Sequence, residues 1–446
     1  MGKYIYSVFI FFCTSFLFAQ EELKISMQEA IDYAIKNNYD NKVAVNNIEA
    51  AKERKWETTT IGLPQISGKV DYQNWLKQQV SLLPAELSGG TPGTFTPVKF
   101  GTKQTMDASV TLKQLIFDGS YLVGLQSAKT YLKISEQAKE KTELATREAV
   151  INSYGNVLVV ERNIEILENN RDVLKKNLEE TQKIYKNGLT ELEDVEQLQI
   201  TLGTIENNYN NARRMKSIAY KMLNVALGNS IERKIVLTDN LDNLVLANTD
   251  LSLLTKSFNV KSHIDFKMAE NDKESKALLM KLEQSKALPT LSAFVNYGAN
   301  ANANDFDFLK ESQEWFDYSL LGVSLNVPIF SSFGRRSKTA MARIELENAE
   351  IKSENVRQNL MLQSETAKSD YQLSIESFQT AKKNLSLAER IEKKQQIKFF
   401  EGLSSSFDLL QAQNQLYTQQ NNYVQSMLNV IARKAQLENA LNIPIK

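Results

Sequence analysis

The amino-acid sequence predicts a mainly α-helical protein that also carries a membrane β-barrel. Three observations lead to this fold class. Two long stretches lack proline and show the heptad spacing of coiled coils, four short segments alternate between apolar and polar residues, and the whole pattern occurs twice along the chain. Helices as long as these stretches allow do not belong to a compact globule.

The composition excludes several functional classes. The 446 residues include 53 Lys and Arg against 53 Asp and Glu, so no excess positive charge is available to neutralise nucleic-acid phosphates. One His and one Cys leave almost no material for a zinc site, a disulfide framework or a thiol nucleophile. We interpret His263 as a structural helical histidine, and we find no phosphate loop or nucleophile elbow. We therefore expect no enzyme activity, no cofactor, no metal and no nucleic-acid partner.

Residues 1–20 predict a secretory signal peptide. Lys3 precedes an apolar run from Ile5 to Phe18, and Ala19-Gln20 mark the cleavage region. The run is short for a membrane span, which needs about 20 apolar residues, although an uncleaved anchor helix is the alternative. No later stretch approaches that length, so we expect no transmembrane helix in the mature chain.

Proline placement predicts two regions of long helix, because proline breaks helix interiors. No proline lies between Pro97 and Pro289 or between Pro328 and Pro444. Both regions carry apolar residues at coiled-coil spacing, in three series: Ile164, Leu167, Leu174, Leu178 and Tyr185; Val195, Leu198, Leu202, Ile205, Tyr209 and Ala212; and Leu409, Leu416, Tyr423, Val430 and Leu437. The helix from Ser120 to Asn187 would be on the order of 100 Å long.

The chain is an internal repeat. The same spacing separates Gly188 from Gly402 and Asp194 from Asp408. We assign the first repeat to residues 21–228, with a membrane hairpin at 64–118 and a helical tip at 186–195. We assign the second repeat to residues 252–446, with a hairpin at 289–330 and a tip at 400–409. Residues 229–251 link the repeats and fit neither coiled-coil nor strand patterning.

Four segments alternate with a period of two, which predicts strands with one apolar and one polar face. Their apolar positions are Ile66, Val70 and Tyr72; Met106, Ala108, Val110, Leu112 and Ile116; Leu291, Ala293, Val295 and Tyr297; and Leu321, Val323, Leu325, Val327 and Ile329. Each run spans about 11–13 residues, enough to cross a bilayer at a barrel's tilt. An amphipathic sheet packed on a soluble core is the alternative.

The strands are joined by loops, predicted at Lys77–Gln104 and Asn300–Phe316. An aromatic girdle is expected near the loop-side ends of the strands, from Tyr72, Trp75, Trp315 and Tyr318. Four strands cannot close a barrel alone, and an open edge in lipid leaves backbone groups unpaired. Several chains must therefore share one barrel, and the polar face favours a water-filled barrel of twelve or more strands.

The ordered motifs resemble the TolC-like outer membrane efflux proteins over essentially all of residues 21–446. These motifs are LPQIS at Leu63, QLIFDG at Gln114, NGLTELEDV at Asn187, LPTLS at Leu288, VPIFSSFGRR at Val327 and EGLSSSFDLL at Glu401. Each short motif is weak singly. Their order and their duplication make the resemblance specific.

The resemblance implies a homotrimer in outer membrane lipid, located in the cell outer membrane after signal peptide cleavage. A shared 12-stranded trimeric β-barrel, with four strands per chain, would be continuous with a long α-helical coiled-coil barrel in the periplasm. A small equatorial domain would use Asn229–Leu251 and Asn442–Lys446. Such a trimer is the passive exit duct of a tripartite efflux or type I secretion system. It docks a periplasmic adaptor (membrane fusion) protein and an inner-membrane pump, with the cargo left open among drugs, metals and proteins.

The resemblance also implies roles at the tips. Gly188, Leu189, Gly402 and Leu403 are the expected adaptor-contacting positions, and Asp194 and Asp408 match acids of the periplasmic gate. Ser404, Phe399 and Gln411 stand where one member has a tethering Arg, a tethering Tyr and a second gate acid, so the latch is expected to differ. A ring of carboxylates in a narrow pore attracts cations and raises its own pKa values.

A structural interpretation of the two acids stays open. Thr190-x-x-Glu193 and Ser405-x-x-Asp408 both have the spacing of a capping box, and the helix dipole favours acids in a first turn. Gly188 and Gly402 are expected at positive φ, where each ends a helix. The alternative function is a secreted coiled-coil scaffold or adhesin, which explains the heptads and the export signal but not the duplicated strands.

Overall fold

The computed structural model describes residues 22–443. The predicted signal peptide and residues 444–446 of the predicted equatorial segment lie outside the described residues. The described chain divides into two compact units. One, here called the helical unit, comprises residues 22–45, 139–264 and 357–443; the other, the sheet unit, comprises residues 46–138 and 265–356.

Helices make up most of the described chain. They are Met27–Asn37 (α1), Tyr39–Thr60 (α2), Gly119–Lys186 (α3), Leu192–Leu227 (α4), Leu241–Ala247 (α5), Ile264–Ser285 (α6), Gly334–Phe400 (α7) and Ser406–Ala440 (α8). The long unbroken helix predicted from Ser120 to Asn187 is confirmed, since α3 runs for 68 residues. Among residues 22–443, no helix is both long and apolar enough to span a membrane.

The strands are Leu23–Ile25 (β1), Gln65–Asn74 (β2), Val80–Pro84 (β3), Phe95–Lys99 (β4), Gln104–Asp118 (β5), Ile235–Leu237 (β6), Thr290–Ala303 (β7) and Trp315–Asn326 (β8). In the sheet unit, four of them form one antiparallel sheet in the order β2-β5-β7-β8. This sheet is open, and β2 and β8 are its edge strands.

The strand register gives the sheet one apolar and one polar face, as the alternation predicts. On the apolar face, the paired residues Ile66, Leu112, Val295 and Leu321 form one row across all four strands. These side chains are exposed, as are most other large apolar side chains of this face: Val70, Tyr72, Val110, Tyr297, Val323 and Leu325. An exposed apolar face of this size needs a partner that is not water.

The strands correct the sequence interpretation at four places. β7 continues through Ala303 into the predicted loop, and the first loop contains the β3–β4 hairpin. β8 ends at Asn326 rather than Ile329, because Pro328 lacks an N–H and the chain then turns through the left-handed residues Ser332 and Phe333. A register shift between Leu115 and Phe117 interrupts the alternation of β5.

The helical unit has a large core around its short strands. The core joins buried side chains of α1, α3, α4, α5, α7 and α8, and Leu223, Leu227 and Leu437 in it are fully buried. Two buried tyrosines tie extended segments to this core. The Tyr154 hydroxyl donates to the Asp239 carboxylate at 2.9 Å, and the Tyr371 hydroxyl donates to the Asn248 carbonyl at 2.7 Å.

The segment 229–251 contains a strand, which the sequence interpretation did not predict. β6 lies in it and pairs in parallel with β1, which belongs to the other end of the first repeat. α5 follows, capped by Asn240. A strand of three residues is too short to show a period of two, which is why the alternation did not reveal it.

The predicted coiled-coil seams are buried over part of their length between α3, α4 and α8, whereas Tyr185 of the first series is exposed. Leu174, Leu198 and Ile205 form a small apolar cluster, and Leu409 and Val430 of the third series are fully buried. Arg171 is the charged residue within the first series. Its guanidinium lies over the ring of Tyr209 at 4.8 Å, so the seam accommodates the charge by a cation–π contact.

Candidate functional site at the helical tips

Both helical tips turn in the same way. Gly188 and Gly402 each have a φ of 71°, as predicted, and this left-handed conformation favours glycine. Behind each glycine, the N–H of Leu189 donates to Ile184 and the N–H of Leu403 donates to Lys398, as in a Schellman motif. This turn leaves the two leucine side chains 78% and 72% exposed, respectively.

The returning helices both begin with capping boxes. At α8, Ser405 and Asp408 cap each other, as the capping interpretation predicts. At α4, the box uses Glu191 and Asp194, so the predicted pair Thr190 and Glu193 is wrong by one residue. The difference arises because Thr190 instead donates its hydroxyl to the Asp194 carboxylate.

Asp194 joins the two hairpins of the helical unit. Burial raises the pKa of its carboxyl, but hydrogen bonds from Ser406, Thr190 and the Glu191 N–H outweigh that effect, so the net pKa lies below its usual range. Ser406 is buried at the start of α8, and its one hydroxyl proton is shared between Asp194 and the side-chain oxygen of Gln197 on α4, which lies at 3.3 Å. This contact between hairpins was not predicted, since spacing along the chain does not show which residues of two hairpins meet.

Asp408 is held within its own tip. The hydroxyl of Ser405 donates to its carboxylate at 2.9 Å, and the hydroxyl of Ser404 donates at 3.4 Å. These bonds, with the Ser405 N–H and the charge of Lys398, lower the pKa of Asp408. Both acids therefore stay charged at neutral pH in the single chain.

The positions that depart from the TolC-like pattern also lie near the second tip. Ser404 contacts Asp408 and Gln395, so it is an element of the cap. Phe399 packs edge-to-face on Phe400 with 5.4 Å between ring centroids. Gln411 is exposed on α8. The structure thus joins Ser404 to Asp408 but gives Gln411 no contact with either acid among the described residues.

A buried polar layer next to the tips was missed by the sequence analysis. Gln413 on α8 is 1% exposed, and no hydrogen bond of ordinary geometry reaches its amide among the described residues. The Gln413 amide is nevertheless near Glu392 on α7. Burial raises the pKa of Glu392, and the amide offsets this in part. Gln413 stands between the heptad positions Leu409 and Leu416, a core position that the series did not include.

Polar side chains also cover one face of the sheet. Lys69 and Asp71 of β2 form an ion pair at 2.7 Å, and the Asn296 amide donates to Thr111 at 2.7 Å. Tyr318 lies on this face and donates to Asp107 at 2.9 Å, so its assignment to the aromatic girdle is wrong. The register places Tyr318 opposite Gly298, and a side chain at Gly298 would collide with the tyrosine ring.

The two repeats both match one family model, that of the outer membrane efflux proteins. The matched segments are residues 30–229 and 261–442, which together make up most of the chain. The chain belongs to the outer membrane efflux protein family. The recognition of a TolC-like protein from its duplicated motifs is therefore confirmed.

Relatives and solved structures agree with the family. Over 337 residues the chain is 20% identical to outer membrane protein TolC of Vibrio cholerae, covering 75% of this chain and 76% of the relative. The fold is similar to the outer membrane protein VceC of Vibrio cholerae, with a TM-score of 0.71, 16% identity, and coverage of 94% of this chain and 97% of that chain. It is also similar to the CmeC outer membrane channel of Campylobacter jejuni, with a TM-score of 0.71, 17% identity, and coverage of 93% and 85%.

Membership in this family gives the location and the general role. The chain is an outer membrane protein that extends into the periplasm, and it serves as a passive efflux channel rather than an enzyme.

Across residues 22–443, no group of His, Cys, Asp and Glu side chains could hold a metal ion. His263 is 5% exposed and packs against the ring of Phe258.

Proposed function

We propose that three copies of this chain form the exit duct of a tripartite efflux or type I secretion system. Each copy contributes β2, β5, β7 and β8 to one twelve-stranded barrel in the outer membrane. The long helices of the three copies continue that barrel as a coiled-coil tunnel in the periplasm. Residues 229–251, together with β1, supply a belt at the equator of the tunnel.

The open four-stranded sheet carries this proposal. Its apolar face is exposed and its opposite face bears Lys69, Asp71, Asp107 and Lys113, which suits lipid on one side and water on the other. The edge strands β2 and β8 have no partner strand on their outer sides among the described residues. In lipid those edges must pair, and pairing β8 of one copy with β2 of the next closes a barrel.

The helical tips are the proposed contact for the periplasmic adaptor and, through it, the inner-membrane pump. The exposed Leu189 and Leu403 offer apolar side chains at the ends of the hairpins, and burial of these side chains by a partner would be favourable. Asp194 and Asp408 follow directly on the returning helices. Three copies would bring six carboxylates to the narrow end of the tunnel, where they favour cations.

Disulfide cross-linking across the strand edges tests the trimer. The one cysteine, Cys13, lies in the predicted signal peptide, so Ser67→Cys on β2 and Ser324→Cys on β8 give two defined thiols. Both positions are near the helix-side end of the sheet and on its polar face. We expect oxidation to produce covalent trimers on a denaturing gel, whereas either single variant gives monomers. Monomers from the double variant, at this and neighbouring registers, would contradict the shared barrel.

Photo-crosslinking from the tips tests the partners. A photoreactive residue in place of Lys186 or Glu401, both exposed, should capture a periplasmic adaptor in living cells. The same residue in place of the exposed Lys310, in the β7–β8 loop, is the control and should capture neither adaptor nor pump. Absence of any periplasmic partner from both tips would favour a stand-alone channel or a scaffold.

A further inference from the structure

The segment between β8 and α7, residues 327–333, is unusually apolar for an exposed connection. We call it the junction loop. Ile329, Phe330 and Phe333 in it are 88%, 74% and 67% exposed, and the two phenylalanine rings meet edge-to-face at 6.0 Å. Val327, also exposed, continues the apolar face that Val323 and Leu325 form on β8. The loop thus extends the apolar side of the sheet at its helix-side end.

The junction loop is held in a defined conformation. Ser332 and Phe333 have φ values of 47° and 64°, a region that residues other than glycine rarely adopt. The Arg335 guanidinium donates to the carbonyl of Pro328 at 3.1 Å and to that of Ile329 at 3.4 Å. A strained turn fixed in this way keeps the aromatic rings on the outside instead of letting them collapse onto the protein.

Two cations follow the loop at the start of α7. Arg336 and Lys338 are exposed, and neither has an ion-pair partner among residues 22–443. Arg336 lies in the first turn of α7, where the helix dipole disfavours a cation, so helix stability does not explain its position. Exposed aromatic side chains beside unpaired cations form the pattern of a surface that binds anionic lipid.

The first repeat provides an internal comparison. There β5 passes directly into α3, and the carboxylate of Asp118 accepts the N–H of Ser120 at 2.7 Å as an ordinary helix cap. No cation occurs in α3 before Lys129. Exposed apolar residues precede the helix in both repeats, Ile116 and Phe117 before α3 and Ile329 and Phe330 before α7. The left-handed turn and the two cations occur at this junction in the second repeat alone, and the continuation of a strand into a helix does not require them.

We propose that the junction loop, together with Arg336 and Lys338, binds anionic phospholipid at the periplasmic surface of the outer membrane. Ile329, Phe330 and Phe333 contact acyl chains, while the two cations contact headgroup phosphates. Charge complementarity and continuity with the apolar sheet face favour lipid over a neighbouring protein surface. The inference rests on the proposed membrane-spanning sheet.

Quenching of tryptophan fluorescence by brominated lipid tests the contact in the full chain, reconstituted as the trimer into phosphatidylcholine bilayers. Trp56, Trp75 and Trp315 are first replaced by Phe, and Phe330→Trp is the reporter. We expect brominated phosphatidylglycerol to be preferred over brominated phosphatidylcholine by about fivefold or more, since each cation near an anionic surface contributes about that factor. The preference should weaken at high salt.

Matched variants test whether the lipid preference depends on Arg336 and Lys338 or on any positive charge of α7. Arg336→Gln with Lys338→Gln should lower the preference strongly, and Arg335, which holds the loop, accounts for any preference that is left. Arg343→Gln with Lys352→Gln removes two exposed cations farther along α7 and should leave the preference unchanged. Equal quenching by the two lipids in the Phe330→Trp protein that keeps Arg336 and Lys338 would overturn the proposal.

A second reporter distinguishes failure of this inference from failure of the proposed barrel. Leu321→Trp on the apolar face should be quenched if the sheet is in lipid at all. Quenching at Leu321→Trp without quenching at Phe330→Trp would mean that a neighbouring copy or another protein covers the junction loop, and the lipid contact would be wrong. No quenching at either position would overturn the membrane-spanning sheet and the lipid contact with it.

Discussion

The helical unit is packed differently around its short strands and near its tips. Around β1 and β6, six helices share one large apolar core, and the buried hydroxyls of Tyr154 and Tyr371 have partners. Near the tips, the apolar cluster shrinks to Leu174, Leu198 and Ile205 with a few neighbours. A groove of about 720 Å³ lies between α3, α4 and α8, in the stretch between the small cluster and the large core, and is lined largely by asparagine, threonine and glutamine side chains.

Within residues 22–443, buried polar atoms without hydrogen bonds occur in both places, since Arg147 and Asn439 beside the large core also have one each, but the region near the tips has little apolar area to offset them. Asn177, Thr181 and Gln413 are almost fully buried near the tips, and each has a polar side-chain atom without a hydrogen bond among the described residues. Such atoms destabilise a packed state, because separation of the helices lets them bind water. The core around the strands is thus suited to hold the fold, and the region near the tips is suited to open at low cost.

The largest effect is expected in the core around the strands. Leu223→Ala removes a fully buried side chain and should lower the free energy of unfolding by about 2–5 kcal/mol. Met222→Ala, next to it but 53% exposed, should change that free energy by less than about 0.5 kcal/mol. Urea titration of the purified protein, followed by far-ultraviolet circular dichroism, measures both. Equal losses would mean that this core is not the stable part of the unit.

The tip turns should be sensitive to backbone strain. Gly402→Ala places a side chain at a φ of 71° in open space, so we expect a loss of about 1–2 kcal/mol from the backbone alone, and reduced export. Gly203→Ala is the matched control, because Gly203 is also in open space but inside α4, where alanine should add up to about 1 kcal/mol. Thermal unfolding and an efflux assay report the two quantities. Full export from Gly402→Ala would argue against a role of the turn in docking.

Replacing the buried amide near the tips should have the opposite sign. Gln413→Leu removes two buried polar atoms that lack hydrogen bonds of ordinary geometry among the described residues, and it should stabilise this region by about 1 kcal/mol at a pH where Glu392 is protonated and no longer gains from the amide. Because opening becomes more costly, conductance of the trimer in planar bilayers should fall. Gln411→Leu, exposed on the same helix, should leave the conductance unchanged. A loss of stability in Gln413→Leu would show that the contact of the amide with Glu392 outweighs the cost of its buried polar atoms.

The two tip acids offer a smaller effect, on selectivity. Asp194→Asn with Asp408→Asn should reduce the cation preference of the conductance at least about twofold if six carboxylates line the narrow end. Asp40→Asn with Asp172→Asn removes two exposed acids away from the tips and serves as the control. Reversal potentials in a salt gradient measure the preference. Unchanged selectivity with reduced stability would favour capping as the sole role of Asp194 and Asp408.

The features that depend on local period could be predicted from the sequence. The bounds of α3 follow from the missing prolines and the heptads, and the positive φ of Gly188 follows from its place between two helices. The alternation around Leu321 also indicates the face on which Tyr318 lies, because Tyr318 is at an even position and the apolar residues of this strand are at odd positions. Its aromatic ring nevertheless suggested a place in the girdle.

The features that depend on contacts between distant segments could not be predicted. Pairing of β1 with β6 joins three residues to three others far along the chain, and no period marks them. The bond from Ser406 to Asp194 needs the arrangement of two hairpins. The position of Gln413 against Glu392 depends on how α7 and α8 are rotated, and a single polar residue between heptad positions does not show whether it is buried.

Glu392 makes the polar region near the tips sensitive to pH. Burial raises the pKa of its carboxyl above the ordinary value of 4.5, so the folded chain binds this proton more tightly than the unfolded chain does. The packing of α7 on α8 is therefore weakest at neutral pH, where Glu392 is charged, and becomes more stable as the pH falls through the raised pKa toward 4.5. Tyr417, which faces Glu392 from α8, stays protonated because its own pKa is raised by burial.

Conductance should therefore fall on mild acidification. Glu392→Gln has no charge to lose, so its conductance should already be low at neutral pH and should change little on acidification. The tip acids do not interfere in the single chain, because the pKa values of Asp194 and Asp408 are lowered and both stay charged in this window. Glu389→Gln, an exposed neighbour on α7, is the control and should keep the response of the parent channel. Bilayer recordings between neutral pH and about pH 4.5 decide the outcome. A fall in conductance that persists in Glu392→Gln would assign the response to groups outside this polar layer, such as the carboxylates that three copies bring together.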